Sequence, residues 1–303
     1  MDLTTEIGGL RLKNPVLVAS GTYGYGLDYR DFYDPGLLGG IIVKGLSLEP
    51  QEGNPPPRIV ETPCGMLNSI GLANMGVKEF VKVQLPLLRE IDTHIIANIY
   101  GKTMEEYQEV AQILGDQEGI SALEVNISCP NVKRGGLLFG AEPISAYEVI
   151  SSVRRVYKKT LIAKLTPNVT DISPIIKAVE EGGAEAISLI NTLRGMAVDI
   201  YTKRPKLGNG FGGLSGPAIK PVALYFVYSA VRSTTLPVIG IGGIVNAEDA
   251  IEFFLVGAKA VQVGTANFVN PKAPIEIIEG IRAYLEYHQM GDIKELINSL
   301  KEC

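Results

Sequence analysis

Two lysines, three asparagines and a series of glycines stand at the ends of apolar segments along this chain. In order, those ends read Ser20-Gly21, Lys44-Gly45, Asn98, Asn126, Lys164, Asn191-Thr192, Gly242-Gly243 and Gly264-Thr265. A core strand leaving the interior explains any one of them. Eight in succession are harder to explain, because lysines and amides facing one mouth need an anionic or polar partner. The last two ends carry a phosphate signal. Ile239-Gly240-Ile241-Gly242-Gly243-Ile244 runs into a helix start marked by Asn246, and Val263-Gly264-Thr265-Ala266 closes the eighth segment. Bare backbone N–H groups in glycine turns beside a helix N-terminus bind phosphate.

Two further residues bear reactive groups. Lys164 sits inside Ala163-Lys164-Leu165. It either snorkels outward between helices or points into the mouth. There it would serve as a Schiff-base amine or neutralise an anionic edge such as the N1/O2 side of a flavin. Cys129 follows Asn126-Ile127-Ser128 and precedes Pro130. A thiol at a strand end in a polar loop is placed to titrate, unlike the usual inert buried cysteine. Cys64, in another loop, is the weaker candidate.

The elements that must position these groups alternate in type. Strands are expected over Pro15–Ser20, Ile41–Leu46, His94–Tyr100, Ala122–Ser128, Leu161–Thr166, Ala186–Thr192, Pro237–Ile244 and Ala260–Ala266. They are continuous apolar runs, as in parallel strands covered on both faces. Helical spacing marks Val77–Glu90, Met104–Leu114, Ile144–Lys159, Ile172–Glu181, Ile219–Ser233, Ala247–Val256, Pro274–His288 and Asp292–Lys301, with Asp28–Phe32 at best a short helix. This rhythm predicts an α/β fold, a (β/α)8 TIM barrel spanning 1–303 as one domain. A doubly wound sheet would want a G-x-G-x-x-G turn after an early strand, and none is found. Leu3–Ile7 and Leu10–Leu12 around Gly8-Gly9 predict a β-hairpin that plugs the N-terminal end. Two long connections, Ser47 to His94 and Leu193 to Ala218, are expected to roof the active site.

Composition excludes several classes. The 303 residues carry 28 basic and 33 acidic side chains, net −5, with no basic stripe for nucleic acid. Three scattered cysteines and two histidines predict no disulfide framework, metal site or iron–sulfur cluster on this chain. No apolar run reaches the roughly 18 residues that span a bilayer. The opening MDLTTEIGGL has no basic-then-apolar order. Free thiols and no visible signal lead to an expected cytoplasmic location.

Together the stretches Asn126-Ile127-Ser128-Cys129-Pro130-Asn131, Asn68-Ser69-Ile70-Gly71-Leu72, Asn54-Pro55-Pro56-Pro57-Arg58, Gly242-Gly243 and Gly264-Thr265 resemble the class I dihydroorotate dehydrogenases over nearly the whole chain. The resemblance implies a barrel that binds one FMN and oxidises (S)-dihydroorotate to orotate in pyrimidine synthesis. It makes Cys129 the catalytic base. Ser20, Lys44, Gly45, Asn98, Asn126, Ile190 and Gly216 would line the flavin, and Lys164 would contact its N1/O2 edge. Gly242, Gly243, Gly264 and Thr265 would hold its phosphate. Lys44, Asn68, Ser69, Ile70, Gly71, Leu72, Asn126, Asn191 and Thr192 would bind the substrate. The loop Lys133-Arg134-Gly135-Gly136-Leu137-Leu138-Phe139-Gly140 resembles the NAD-linked subgroup, class IB. That implies a partner subunit carrying FAD and a [2Fe–2S] cluster, in a heterotetramer of two catalytic and two electron-transfer chains. The fumarate-reducing homodimer of class IA fits the missing cysteine clusters equally well. An aldolase-type barrel using Lys164 is the alternative from another enzyme class.

Overall fold

Runs of Val, Ile and Leu in this chain are too short for core helices and lack polar alternation, so both faces of each must be covered. A computed structural model, which describes residues 1–128, 133–134, 137–138 and 140–301, shows how. The eight parallel strands are β1 (Val16–Val18), β2 (Gly40–Leu46), β3 (His94–Ile99), β4 (Ala122–Asn126), β5 (Thr160–Lys164), β6 (Ala186–Leu189), β7 (Val238–Ile241) and β8 (Ala260–Val263). Each pairs with its neighbour in chain order, and β8 closes on β1, giving a closed barrel. Helices on the outside include α1 (Met104–Gly115), α2 (Pro143–Val156), α3 (Ser173–Glu181), α4 (Lys220–Ser233), α5 (Ala247–Leu255) and α6 (Ala273–Tyr287). The (β/α)8 expectation holds. Apart from β2, which runs one residue longer, each strand is shorter than its apolar run, because the run's last residues bend away into the mouth.

The barrel has two ends of different character. At the N-terminal end, Thr5–Ile7 pairs antiparallel with Leu10–Leu12. Ile7 and Leu12 pack with Leu17, Ile42, Ile96, Ile162 and Ile239 in an apolar cluster separate from the main core. The hairpin is thus the expected plug. At the other end the two long connections meet. Ile59–Thr62, Gly65–Asn68, Gly212–Ser215 and Leu193–Gly195 form one four-stranded antiparallel sheet, so the roof is built from both insertions.

Two helical expectations are corrected. Val77–Glu90 is interrupted: Val77–Glu79 and Leu85–Leu88 flank a π-helical turn at Phe80–Gln84. The widened turn precedes Pro86, which has no N–H for the helical ladder. Asp292–Lys301 forms only a single 3-10 turn, Ile293–Glu295. Beyond it Asn298 N–H bonds to the Phe254 carbonyl and Leu300 N–H to the Leu255 carbonyl, at the end of α5. Tertiary acceptors took the donors a helix would have used. Asp28–Phe32 is a series of turns. No helix among the described residues is long and apolar enough to cross a membrane.

Candidate active site

Side chains alternate along a strand, so residues two apart face the same way. On β4 this sends Ala122, Glu124 and Asn126 into the barrel at successive heights. Ala122 belongs to the apolar plug. Asn126 lines a cavity of about 320 Å³ at the C-terminal mouth. Glu124 lies between them, fully buried.

The Glu124 carboxylate accepts hydrogen bonds from four other strands. Asn98 Nδ2 (2.7 Å) and Lys164 Nζ (3.2 Å) reach Oε1, and Ser188 Oγ (2.8 Å) and Gln262 Nε2 (2.6 Å) reach Oε2. Burial pushes this carboxyl up, but the Lys164 charge and the hydrogen bonds from Gln262, Ser188 and Asn98 outweigh it. The group is held below its ordinary 4.5 and is ionised. Asn98 and Lys164 themselves line the cavity, so the ion pair is its floor. Lys164 therefore points inward, and its neighbour is a carboxylate. A Schiff-base lysine is activated by apolar or cationic surroundings instead.

Lys44, at the end of β2, is the second inward lysine. Its ammonium has no hydrogen-bond partner among the described residues. Burial, and secondarily the nearby Arg58, pull its pKa below 10.5. An anion entering the cavity would relieve both effects.

The roof loop is pinned at several points. Ser69 N–H bonds to the Arg58 carbonyl (2.7 Å) and Ser69 Oγ accepts from Asn54 Nδ2 (2.9 Å). The Leu72 carbonyl accepts from Asn74 Nδ2 (2.8 Å) and Tyr100 OH (3.0 Å). Leu72 has φ +59°, a conformation held by those bonds. Gly71, at φ +72°, lies too close to the Asn54 backbone for any side chain. These contacts hold the Asn68, Ser69 and Ile70 side chains over the mouth at little entropic cost on binding.

The glycine corner lies across the mouth. Gly242 (φ +130°) and Gly243 (φ +75°) take conformations that L side chains avoid. Thr265 Oγ1 donates to Ser215 Oγ (2.8 Å), tying β8 to the roof. Asn246 caps α5 as expected, in a capping box with Asp249. Asp249 also accepts from Val245 N–H (2.9 Å) and Lys220 Nζ (2.6 Å). Part of that helix end is therefore occupied by the chain's own carboxylate, and the glycine turns offer the freer donors.

Ser20, Lys44, Gly45, Asn68, Ser69, Ile70, Gly71, Leu72, Asn98, Asn126, Lys164, Ile190, Asn191, Thr192, Gly216, Gly242, Gly243, Gly264 and Thr265 all line this one cavity. Cys129 lies outside the described residues, as do Gly135, Gly136 and Phe139 of the 133–140 loop. Within that loop, Lys133–Arg134 and Leu137–Leu138 pair as a short antiparallel ladder. Ser128 and Gly140, on either side, line the cavity. Sequence reasoning missed Glu124, although an acid inside Ala122-Leu123-Glu124-Val125-Asn126 at the same parity as Asn126 was a usable signal. It also missed Asn168, whose amide donates to the Thr192 carbonyl (3.1 Å) and accepts from Arg194 N–H (3.0 Å). Among the described residues, no group of three His, Cys, Asp or Glu is placed to hold a metal.

Comparisons with known proteins converge. A protein-family model described as dihydroorotate dehydrogenase matches residues 2–285. The catalytic subunit of dihydroorotate dehydrogenase B (NAD(+)) from Thermoanaerobacter sp. is 54% identical over 301 residues, 99% of each chain. Its counterpart from Geotalea uraniireducens is 55% identical over 299 residues, 99% of this chain and 98% of its own. The one from Bacteroides thetaiotaomicron is 52% identical over 300 residues, 99% of each.

Proposed function

The chain belongs to the dihydroorotate dehydrogenase family, and from that premise we propose that it oxidises (S)-dihydroorotate to orotate as an NAD-linked, FMN-dependent catalytic subunit in pyrimidine synthesis. The observation that carries this reading is the cavity. It gathers an ammonium without a partner among the described residues, amide side chains and a glycine corner above a buried ion pair. Those are the donors an anionic flavin edge, its phosphate and a substrate carboxylate require. At about 320 Å³ the cavity falls in the range of ligand sites. These features fit FMN.

The residues divide the work. Gly242, Gly243, Gly264 and Thr265 hold the phosphate through backbone N–H groups. Lys164, with Asn98 and Asn126 beside it, faces the N1/O2 edge and offsets negative charge there. Lys44 and the Asn68–Leu72 loop hold the substrate carboxylate, and Asn126, Asn191 and Thr192 hold the imide edge. Cys129, as thiolate, takes the C5 proton, the C5–H bonding pair becomes the C5=C6 double bond, and the C6 hydrogen leaves with its own bonding pair as hydride. FMN, when bound, supplies the hydride acceptor. The roof excludes water and fixes the substrate's faces.

Electrons then leave through a partner chain, which we propose carries FAD and a [2Fe–2S] cluster in a heterotetramer of two chains of each kind. Relatives named as catalytic subunits support a partner. With three scattered cysteines this chain cannot supply the four ligands such a cluster takes. A cytoplasmic setting suits soluble NAD.

The experiment is direct. Purified protein should be yellow, release FMN on acid precipitation, and bleach anaerobically with dihydroorotate. NAD+ reduction should require the co-purified partner. A colourless protein, or one that does not bleach, overturns the reading. Fumarate reduction by the isolated chain moves it to the class IA alternative.

The phosphate corner has its own test. A Cβ at Gly264 would meet only Ala19 Cβ, at 3.7 Å, so the folded chain has room for it. Gly264→Ala should keep the melting temperature of the flavin-free protein and weaken FMN binding by about tenfold or more, since a methyl blocks close backbone approach. Unchanged FMN affinity by fluorescence titration would remove Gly264 from the phosphate site.

A further inference from the structure

Among the described residues, Glu124 is the one charged side chain inside the barrel that the reaction described above does not use. It is sealed from solvent and does not itself line the cavity, yet its carboxylate ties together β3, β4, β5, β6 and β8. Two of its four partners, Asn98 and Lys164, form the cavity floor. A buried ion pair is not needed to hold a barrel closed, since apolar residues of similar volume do so as well or better. Its place directly beneath the mouth calls for a role in the site.

We propose that Glu124 is the positioning residue of this site: its carboxylate fixes the Lys164 ammonium and the Asn98 amide at the flavin edge, and its negative charge tunes how readily the flavin is reduced. The proposal rests on the flavin reading above. Lys164 alone would stabilise the anionic reduced flavin strongly. A carboxylate 3.2 Å behind that ammonium cancels part of its field. The potential is thereby kept low enough for electrons to continue to an acceptor as reducing as NAD. The same carboxylate stops the long lysine side chain from sampling other rotamers, so no ordering is needed when flavin binds.

Glu124→Gln separates charge from shape. The amide oxygen still accepts from Lys164 and Asn98. The new NH2 can donate to Ser188 Oγ and to Gln262, whose Oε1 is buried and has no partner among the described residues. A half-turn of the Gln262 amide presents that oxygen, so both hydrogens of the new amide have an acceptor.

The measurement is the two-electron midpoint potential of the bound flavin, by dye-coupled anaerobic titration of the holoprotein. Glu124→Gln should shift the reduction equilibrium toward reduced flavin by about tenfold, which is about 30 mV upward. A potential unchanged from wild type, with stoichiometric flavin, overturns the proposal while leaving the dehydrogenase reading intact. Wild-type protein without flavin overturns that reading and the proposal with it. Should the glutamine variant not fold, Glu124→Asp carries the test. It keeps the charge but shortens the reach to Lys164, so flavin reduction by dihydroorotate should slow about tenfold with the potential near wild type. A wild-type rate in that variant overturns the positioning role, and failure of both variants to fold makes Glu124 purely structural.

Discussion

Cys129→Ser should slow reduction of the bound flavin by dihydroorotate by about 10²–10⁴-fold, the range for a lost general base. The C5 proton of the substrate is weakly acidic, and among the described residues that line the cavity none both ionises near neutral pH and can accept it. Lys44 and Lys164 are cations, and Glu124 is sealed beneath the floor. A thiol has an ordinary pKa near 8.5 and its thiolate is readily formed beside cations, whereas a serine hydroxyl is a far weaker acid. Residue 128 shows how the chain enters this segment. Ser128 Oγ donates to the Lys164 carbonyl (2.9 Å) and Ser128 N–H bonds to Asn126 Oδ1 (3.1 Å). Cys129 is thus the covalent neighbour of a residue anchored to the tops of β4 and β5. Stopped-flow reduction under anaerobic conditions gives the rate directly. Flavin content and orotate affinity should match wild type, because serine preserves the volume. A reduction rate within about threefold of wild type would take the base role from Cys129.

The barrel was legible because its strands repeat one pattern eight times, and each repeat ends on a polar residue or glycine. Lys44, Asn98, Asn126 and Gly264 could be placed at a mouth without coordinates, since strand ends in this fold converge there. The roof was legible only as two long connections. That Gly65–Asn68 pairs with Gly212–Ser215 is a contact across nearly 150 residues, which no local pattern encodes. The C-terminal segment failed for a related reason. Ile293, Leu296 and Ile297 have helical spacing and are buried, but the N–H groups of Asn298 and Leu300 bond to α5 instead of to the segment itself. Glu124 was hidden in a different way. An apolar run tolerates one acid when a partner exists, and its partners Asn98, Lys164, Ser188 and Gln262 lie on four other strands. Reading each strand by alternation, rather than only at its end, would have put Glu124 and Gln262 inside the barrel.

Lys164→Met should destabilise the flavin-free protein by about 3–5 kcal/mol, the cost of leaving a buried charge without its partner. Methionine fills the space of the lysine stem, so packing changes little and the loss reports the uncompensated carboxylate. Lys164→Met combined with Glu124→Gln should regain most of that stability, since the double variant buries no charge. Denaturant unfolding of the four proteins closes a double-mutant cycle, and the coupling between the two sites should be of similar size and opposite in sign to the single loss. The pH dependence gives an independent check. In the wild type Glu124 has a depressed pKa, so its contribution is present above 4.5 and is lost as pH falls through the lower folded value. In Lys164→Met, burial without a counter-charge raises that pKa, so the variant should lose stability as pH rises through the raised value and recover it on acidification. The two proteins should therefore show slopes of opposite sign near the ordinary carboxyl range. If Lys164→Met is as stable as wild type, or if the double variant is no better than the single, then the floor of this site is not held by the Lys164–Glu124 pair.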